Sequence, residues 1–202
     1  MLYFGKNEIT PNNLIKEDKK YNLLDRVSID NGTEIGTVSG FFTDANDIEY
    51  AIVCLDAFHR THTSILNSQV TISQLQKYAN LSVWRSKNTG KENTDFIQLY
   101  GSPAADWCVN RFYEISGINY YAVIPNILEL IDIYKNKQAI KQLDPTEIDY
   151  PNNALFDDMI TYSSTGYNDT SNWGLSWDGL TFFFNLTEIH FVIPILEIPL
   201  NQ

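Results

Sequence analysis

Ser163, Ser164 and Thr165 stand in a row, and His190 follows at the start of a later apolar stretch. A serine nucleophile needs a base and an orienting acid held in one geometry. The Gly-x-Ser-x-Gly turn that often presents such a serine is absent from the sequence. His190 precedes Phe191 in an alternating run and faces away from it, as a surface or hydrogen-bonded histidine would. Structural use of the three hydroxyls is the stronger reading. Metal chemistry has less behind it. Of the three histidines, His59 and His62 form only a weak His-x-x-His pair, and no Cys/His spacing suits zinc. Cys54 and Cys108 lie inside the apolar runs Ile52-Val-Cys-Leu55 and Trp107-Cys-Val109, where a free buried thiol is the ordinary outcome. Whether they pair depends on geometry that a sequence does not state. The expectation is a protein that is not an enzyme, with no metal and no cofactor.

Recognition is better represented. Tyr167, Asn168 and Asp169, with Trp173, Trp177 and Asp178, group aromatic and polar side chains within a short stretch. Such a set offers contact area and a polar handle to a glycan or a protein. Trp173 and Trp177 are four residues apart, so one strand would place both on one face. The competing reading makes both tryptophans part of the core of the final sheet, since tryptophan is well buried on average.

The elements that must position these residues read as short strands around a pair of helices. Arg26-Val-Ser-Ile29 ends at Asn31-Gly32, a strong hairpin signal. Gly36 to Phe42 follows, then a turn at Asp44 to Asp47. Tyr50 to Leu55 is apolar on both faces and so belongs in the middle of a sheet. Ile72 to Tyr78 suggests a short helix, Leu81 to Trp84 a strand, and Ser86 to Asp95 a loop. Ser102-Pro103 opens a helix, with Ala105, Cys108 and Phe112 on one face and Gly117 as its stop. Asn126 with Glu129 forms a capping box for a second helix, whose apolar stripe is Ile127, Leu128, Ile131 and Tyr134. Ile189, Phe191, Ile193 and Ile195 then alternate as a closing strand. Strands, helices and strands again make the class α+β.

The body therefore spans 23–202, with a strand-rich opening at 23–58, helices near 102–116 and 126–136, and a closing sheet at 159–198. Residues 1–22 differ: an apolar tip, Leu2, Tyr3 and Phe4, precedes a polar run that holds Leu14 and Ile15. Either this is a frayed terminus, or it is an arm that orders on a partner. A net charge of −11, from 25 acidic and 14 basic residues, argues against a nucleic-acid partner. No apolar run approaches the roughly 20 residues that span a bilayer, which argues against membrane insertion. Met1 to Lys6 lacks the basic flank and apolar stretch of a signal peptide, which points to synthesis in a cytoplasm.

Several separated motifs together resemble one family. They are Gly90-Lys-x-Asn-Thr94 with Ile97, Ala104-Ala-x-Trp-Cys108, Val123-Ile-Pro-Asn-x-x-Glu-Leu130, Tyr162-Ser-Ser-Thr165 and Phe191-Val-Ile-Pro-Ile195. In this order they are similar to the C-type-lectin-like domains of the collagen-like-adhesin C-terminal type, found on Bacteroidetes surfaces and in bacteriophage virions. The strands from Gly36 to Ala57 also look like those of structural proteins in crAss-like phages. The chain departs from the pattern at Gly166, where the family often has Glu, and at Ile193, Ile195 and Leu196, where it usually carries arginines. Asn172-Trp-Gly174 lacks the acidic residue of the calcium-dependent lectins. The related formylglycine-generating chemistry uses a cysteine pair near the chain's end, and none follows Cys108.

What the resemblance implies is a C-type-lectin-like fold in a virion protein of a tailed phage, a head fibre or capsid decoration. Residues 1–22 would attach it to other virion proteins, through Leu2, Tyr3, Phe4, Leu14 and Ile15. Tyr167, Asn168, Asp169, Trp173, Trp177 and Asp178 would face a host-surface glycan or protein. Such proteins are homo-oligomers, and a trimer suits a symmetric attachment site. The alternatives are a tail receptor-binding protein and a bacterial surface adhesin.

Overall fold

The run Ala51-Ile-Val-Cys-Leu55, apolar at every position, is buried on both sides of the sheet that organises the molecule. The computed structural model describes residues 20–56, 61–65, 88–140, 161–166, 171–176 and 178–200. In chain order the strands are β1 (Arg26–Ser28), β2 (Glu34–Thr43), β3 (Glu49–Leu55) and β4 (Thr61–Thr63). Helices α1 (Gly90–Gln98) and α2 (Pro103–Val109) lead to the hairpin β5 (Phe112–Ile115) and β6 (Ile118–Tyr121), then to α3 (Ile127–Asn136). The last strands are β7 (Thr161–Gly166), β8 (Ser171–Leu175), β9 (Thr181–Asn185), β10 (His190–Val192) and β11 (Ile195–Pro199).

Among the described residues these strands form a four-stranded sheet β1-β2-β3-β11, a five-stranded sheet β4-β10-β7-β8-β9 and the two-stranded hairpin. Pairing is antiparallel except between β10 and β7, which run parallel at Phe191 and Thr161. The class is α+β, as expected, and β3 is central, between β2 and β11. Alternate residues of β3 enter two cores. Ala51, Val53 and Leu55 join Ile97 of α1 and Ala104, Ala105 and Cys108 of α2 in one. Ile52 and Cys54 join Leu130 and Ile133 of α3 in the other. Its run 51–55 is apolar at every position because helices cover both faces of its sheet. Cys54 and Cys108 are buried thiols that form no disulfide with each other and lie in different cores.

Several expected boundaries move. Residues 90–95, expected in a loop, form the start of α1, because Thr89 and Glu92 build a complete capping box around its first turn. The helix expected to reach 116 ends at Val109, and Asn110 Nδ2 bonds back to the Asp106 carbonyl at 2.7 Å. Phe112 is therefore not on a face with Ala105 and Cys108; it lies on β5 and is 64% exposed. Gly117 turns the β5–β6 hairpin rather than stopping a helix: Ser116 and Gly117 have φ of 54° and 74°, the left-handed pair of a tight two-residue turn.

Helix α3 starts where its capping box predicts, but its buried face is Glu129, Leu130 and Ile133, and Leu128 points outward. Ile127, Ile131 and Tyr134 pack only partly against the second core. The rotation follows from the cap, which turns Glu129 inward. The closing stretch is not one alternating strand. Pro194, which has no N–H to give a ladder, lies between β10 and β11, and the chain changes sheet there. Ile189 is exposed, while Ile193 and Ile195 are fully buried.

Candidate functional site

The helix starts, the Ser-Ser-Thr strand and the last strand meet in a buried polar junction. An α-helix leaves its first four N–H groups without intrahelical partners, and α3 finds all four. Asn126 N–H donates to Glu129 Oε2 at 2.7 Å, and Ile127 N–H to Thr165 Oγ1 at 3.0 Å. Leu128 and Glu129 N–H both donate to Asn126 Oδ1, at 2.8 and 2.9 Å. Ser164 Oγ donates to the Pro125 carbonyl at 3.1 Å and accepts from Asn93 Nδ2 of α1 at 3.3 Å. Ser163 Oγ donates to the Trp173 carbonyl at 2.7 Å. The hydroxyls that sequence alone offers as nucleophiles thus tie β7 to α1, α3 and β8. His190 lies on β10, its ring 5.0 Å from that of Tyr162 and 4.9 Å from that of Phe184, with Nε2 3.2 Å from Glu188 Oε2.

Two carboxylates enter the same junction. Glu197 projects from β11 to the first turn of α1, where Lys91 N–H donates to its Oε1 at 2.9 Å. Glu129 and Glu197 are 1% and 8% exposed. Gly90 separates them so narrowly that a Cβ there would lie 2.6 Å from the Ile124 carbonyl oxygen, 2.8 Å from Glu129 Oε2 and 2.9 Å from Glu197 Oε1. Burial, then the charge of Glu197, pushes the Glu129 carboxyl well above the usual carboxylate range. Burial raises Glu197 as well, against hydrogen bonds from Glu129, Lys91, Thr89 and Gly90 that favour its charged form. The pair sits on backbone N–H groups at a helix start, which suits an anion and not a bare cation.

The outward aromatic surface is the β8–β9 hairpin. Trp173 is half-buried and lies directly opposite Phe183. Phe182 and Phe183 are 43% and 59% exposed, and β9 is the edge of its sheet among the described residues. Phe184 turns inward, edge-on to Tyr162 at 6.0 Å. Asp178 is exposed, but it closes the hairpin: it accepts from Ser176 Oγ and, at 3.3 Å, from Leu180 N–H. These bonds, Ser176 first, hold its carboxyl below the usual range. The hairpin tip rests on α3, where a Cβ on Gly179 would collide with the Tyr134 ring.

Of the residues expected to bind a ligand, Trp173 and Asp178 therefore occupy one hairpin. Tyr167, Asn168, Asp169 and Trp177 lie outside the described residues, as do Leu2, Tyr3, Phe4, Leu14 and Ile15 of the expected arm, and His59. The helix and strand expected at 72–78 and 81–84 lie outside them too. Tyr21 packs against the first core. Phe182 and Phe183 are not among the residues expected from sequence. The signal for them is the run Thr181-Phe-Phe-Phe-Asn185, a strand with three aromatic residues directly after the turn at Asp178-Gly179. No helix of the described residues is long and apolar enough to cross a membrane. Among the described residues no group of three or more His, Cys, Asp or Glu side chains is placed to hold a metal ion. In comparisons with family models, curated proteins and solved structures, none matches the chain.

Proposed function

We propose that the protein is a non-enzymatic component of a tailed-phage virion, a head fibre or capsid decoration, with a C-type-lectin-like body that contacts a host surface. The observation that carries the reading is the contrast between the two polar-aromatic regions. The hydroxyls of Ser163, Ser164 and Thr165 are engaged in internal bonds to backbone groups. The β8–β9 hairpin instead leaves Phe182 and Phe183 exposed, one on each face of the edge strand, with Trp173 opposite Phe183. Exposed aromatic side chains on a rigid hairpin suit adhesion to a glycan or protein. The motif resemblance supplies the virion context, with residues 1–22 as the attachment arm and a homo-oligomer, of which a trimer is favoured, as the assembled form.

Immunogold labelling of purified particles with antibody against residues 30–202 tests the reading. Gold over the capsid is the expected result. Gold confined to the tail tip would replace it with a receptor-binding role, and particles without label would leave a bacterial surface adhesin in its place.

A further inference from the structure

We propose that Glu129 and Glu197 share a single proton, which makes the junction of α1, α3 and β11 a pH-sensitive latch: closed while the proton is held, loosened when it leaves. Among the described residues, one oxygen of each carboxyl is left without a donor. Glu129 Oε1 and Glu197 Oε2 are buried and have no hydrogen-bond partner, although the other oxygen of each carboxyl accepts a backbone N–H. A buried acceptor left unpaired is costly, and two buried carboxylates in contact cannot both ionise cheaply. One proton between them removes both penalties. Glu129 is the acid of the pair and Glu197 the carboxylate, because Glu197 lies at the start of α1 among donors from Thr89, Gly90 and Lys91.

Among the described residues no cation takes the proton's place from the elements packed around the pair. On α1, Lys91 Nζ lies 2.6 Å from Asp95 and 4.6 Å from the Tyr121 ring of β6, whose hydroxyl also bonds to Asp95. Glu92 accepts from Thr89 N–H at 3.0 Å. On α3, Asp132 pairs with Lys135. From β3, Tyr50 faces Glu197 and reaches Asp44, at the end of β2, at 3.4 Å. From β7, Tyr162 bonds to the carbonyls of Asn185 and Glu188. Strand β8 brings no ionisable side chain.

The sign of the effect is fixed. A carboxyl raised on folding contributes stability that is fully present below the ordinary carboxylate range and is lost as pH rises through its folded value. Over that window the folded chain holds one proton more than the unfolded chain, so this pair lowers the folding constant about tenfold per pH unit.

The test is urea unfolding of the full chain and of Glu129→Gln from pH 5 to 9. Glutamine keeps an oxygen for Asn126 N–H and gives an N–H to Glu197, without a proton to lose. The wild type is expected to lose stability with rising pH relative to the variant, by up to about tenfold per unit. Parallel profiles would overturn the proposal. A wild type stabilised by added calcium or magnesium, with both carboxyls ionised, would also overturn it. Should the variant not fold, side-chain carboxyl carbon NMR of the wild type decides the matter: one glutamate titrates well above the others, or every glutamate titrates in the ordinary range and the shared proton is refuted.

Discussion

Replacing Gly90 by alanine sets two physical effects against each other. By helix propensity alone alanine is better, by about 1 kcal/mol in a helix interior. The junction says the reverse. The new Cβ would lie 2.6 Å from the Ile124 carbonyl oxygen and under 3.0 Å from an oxygen of each buried glutamate. Ordinary carbon–oxygen contacts begin at about 3.3 Å, so the neighbours must give by several tenths of an ångström. The carbonyl is main chain, and it is held by the hydroxyl of Thr94 at 3.4 Å. Overpacking of this kind costs about 1–3 kcal/mol. Displacing Glu197 from Lys91 N–H gives up a charged hydrogen bond, worth about 1.5–3 kcal/mol. Allowing for the propensity gain, Gly90→Ala should destabilise by about 1.5–5 kcal/mol and lower Tm by about 3–20 °C. Urea and thermal unfolding at pH 7, followed by circular dichroism, measure both. Unchanged or increased stability would refute the packing argument and with it the close approach of Glu129 and Glu197.

Other perturbations have equally definite outcomes. Arg26 bonds to both oxygens of Asp56, at 2.9 and 2.7 Å, and Asp56 is fully buried. Arg26→Ala strands that carboxylate and should cost about 3–5 kcal/mol in urea unfolding, as breaking one partner of a buried pair does; a loss below about 1 kcal/mol, the range of exposed pairs, would contradict it. Both cysteines are fully buried, and burial pushes the Cys108 thiol up. Native protein should not react with a thiol reagent, and unfolding in urea should release both thiols; rapid labelling of the folded chain would refute the placement.

The helix starts are the most legible part of the fold, because caps are local. Ser102-Pro103 and Asn126 with Glu129 act as their spacing implies. Thr89 with Glu92 carries the same signature but sits in a polar run that reads equally well as loop; burial of Asn93 and Thr94 decides for helix. Tertiary arrangement accounts for the other departures. Pro194 marks a break within Phe191 to Ile195, but nothing local says that the chain passes there from one sheet to another. Glu197, within an apolar strand, reveals its purpose only when α1 and α3 are folded around it. The missing Gly-x-Ser-x-Gly turn favours a structural reading of Ser163, Ser164 and Thr165 on sequence grounds, and the structure shows what their hydroxyls bond to. Thr165 caps α3, Ser164 links α1 to Pro125, and Ser163 pins β8. Phe182 and Phe183 are hard to single out in the sequence because apolar runs are ordinarily buried, whereas an edge strand exposes side chains on both faces.

The proposed function, contact with a host surface through the β8–β9 hairpin of a virion protein, is tested most directly by adsorption of source phage carrying Phe182→Ser with Phe183→Ser. Both side chains are exposed, so on this proposal particles should assemble with the protein in normal amount. If the hairpin makes the contact, these particles adsorb to host bacteria markedly less than the wild type. Particles that carry the folded variant and adsorb at the wild-type rate would contradict it.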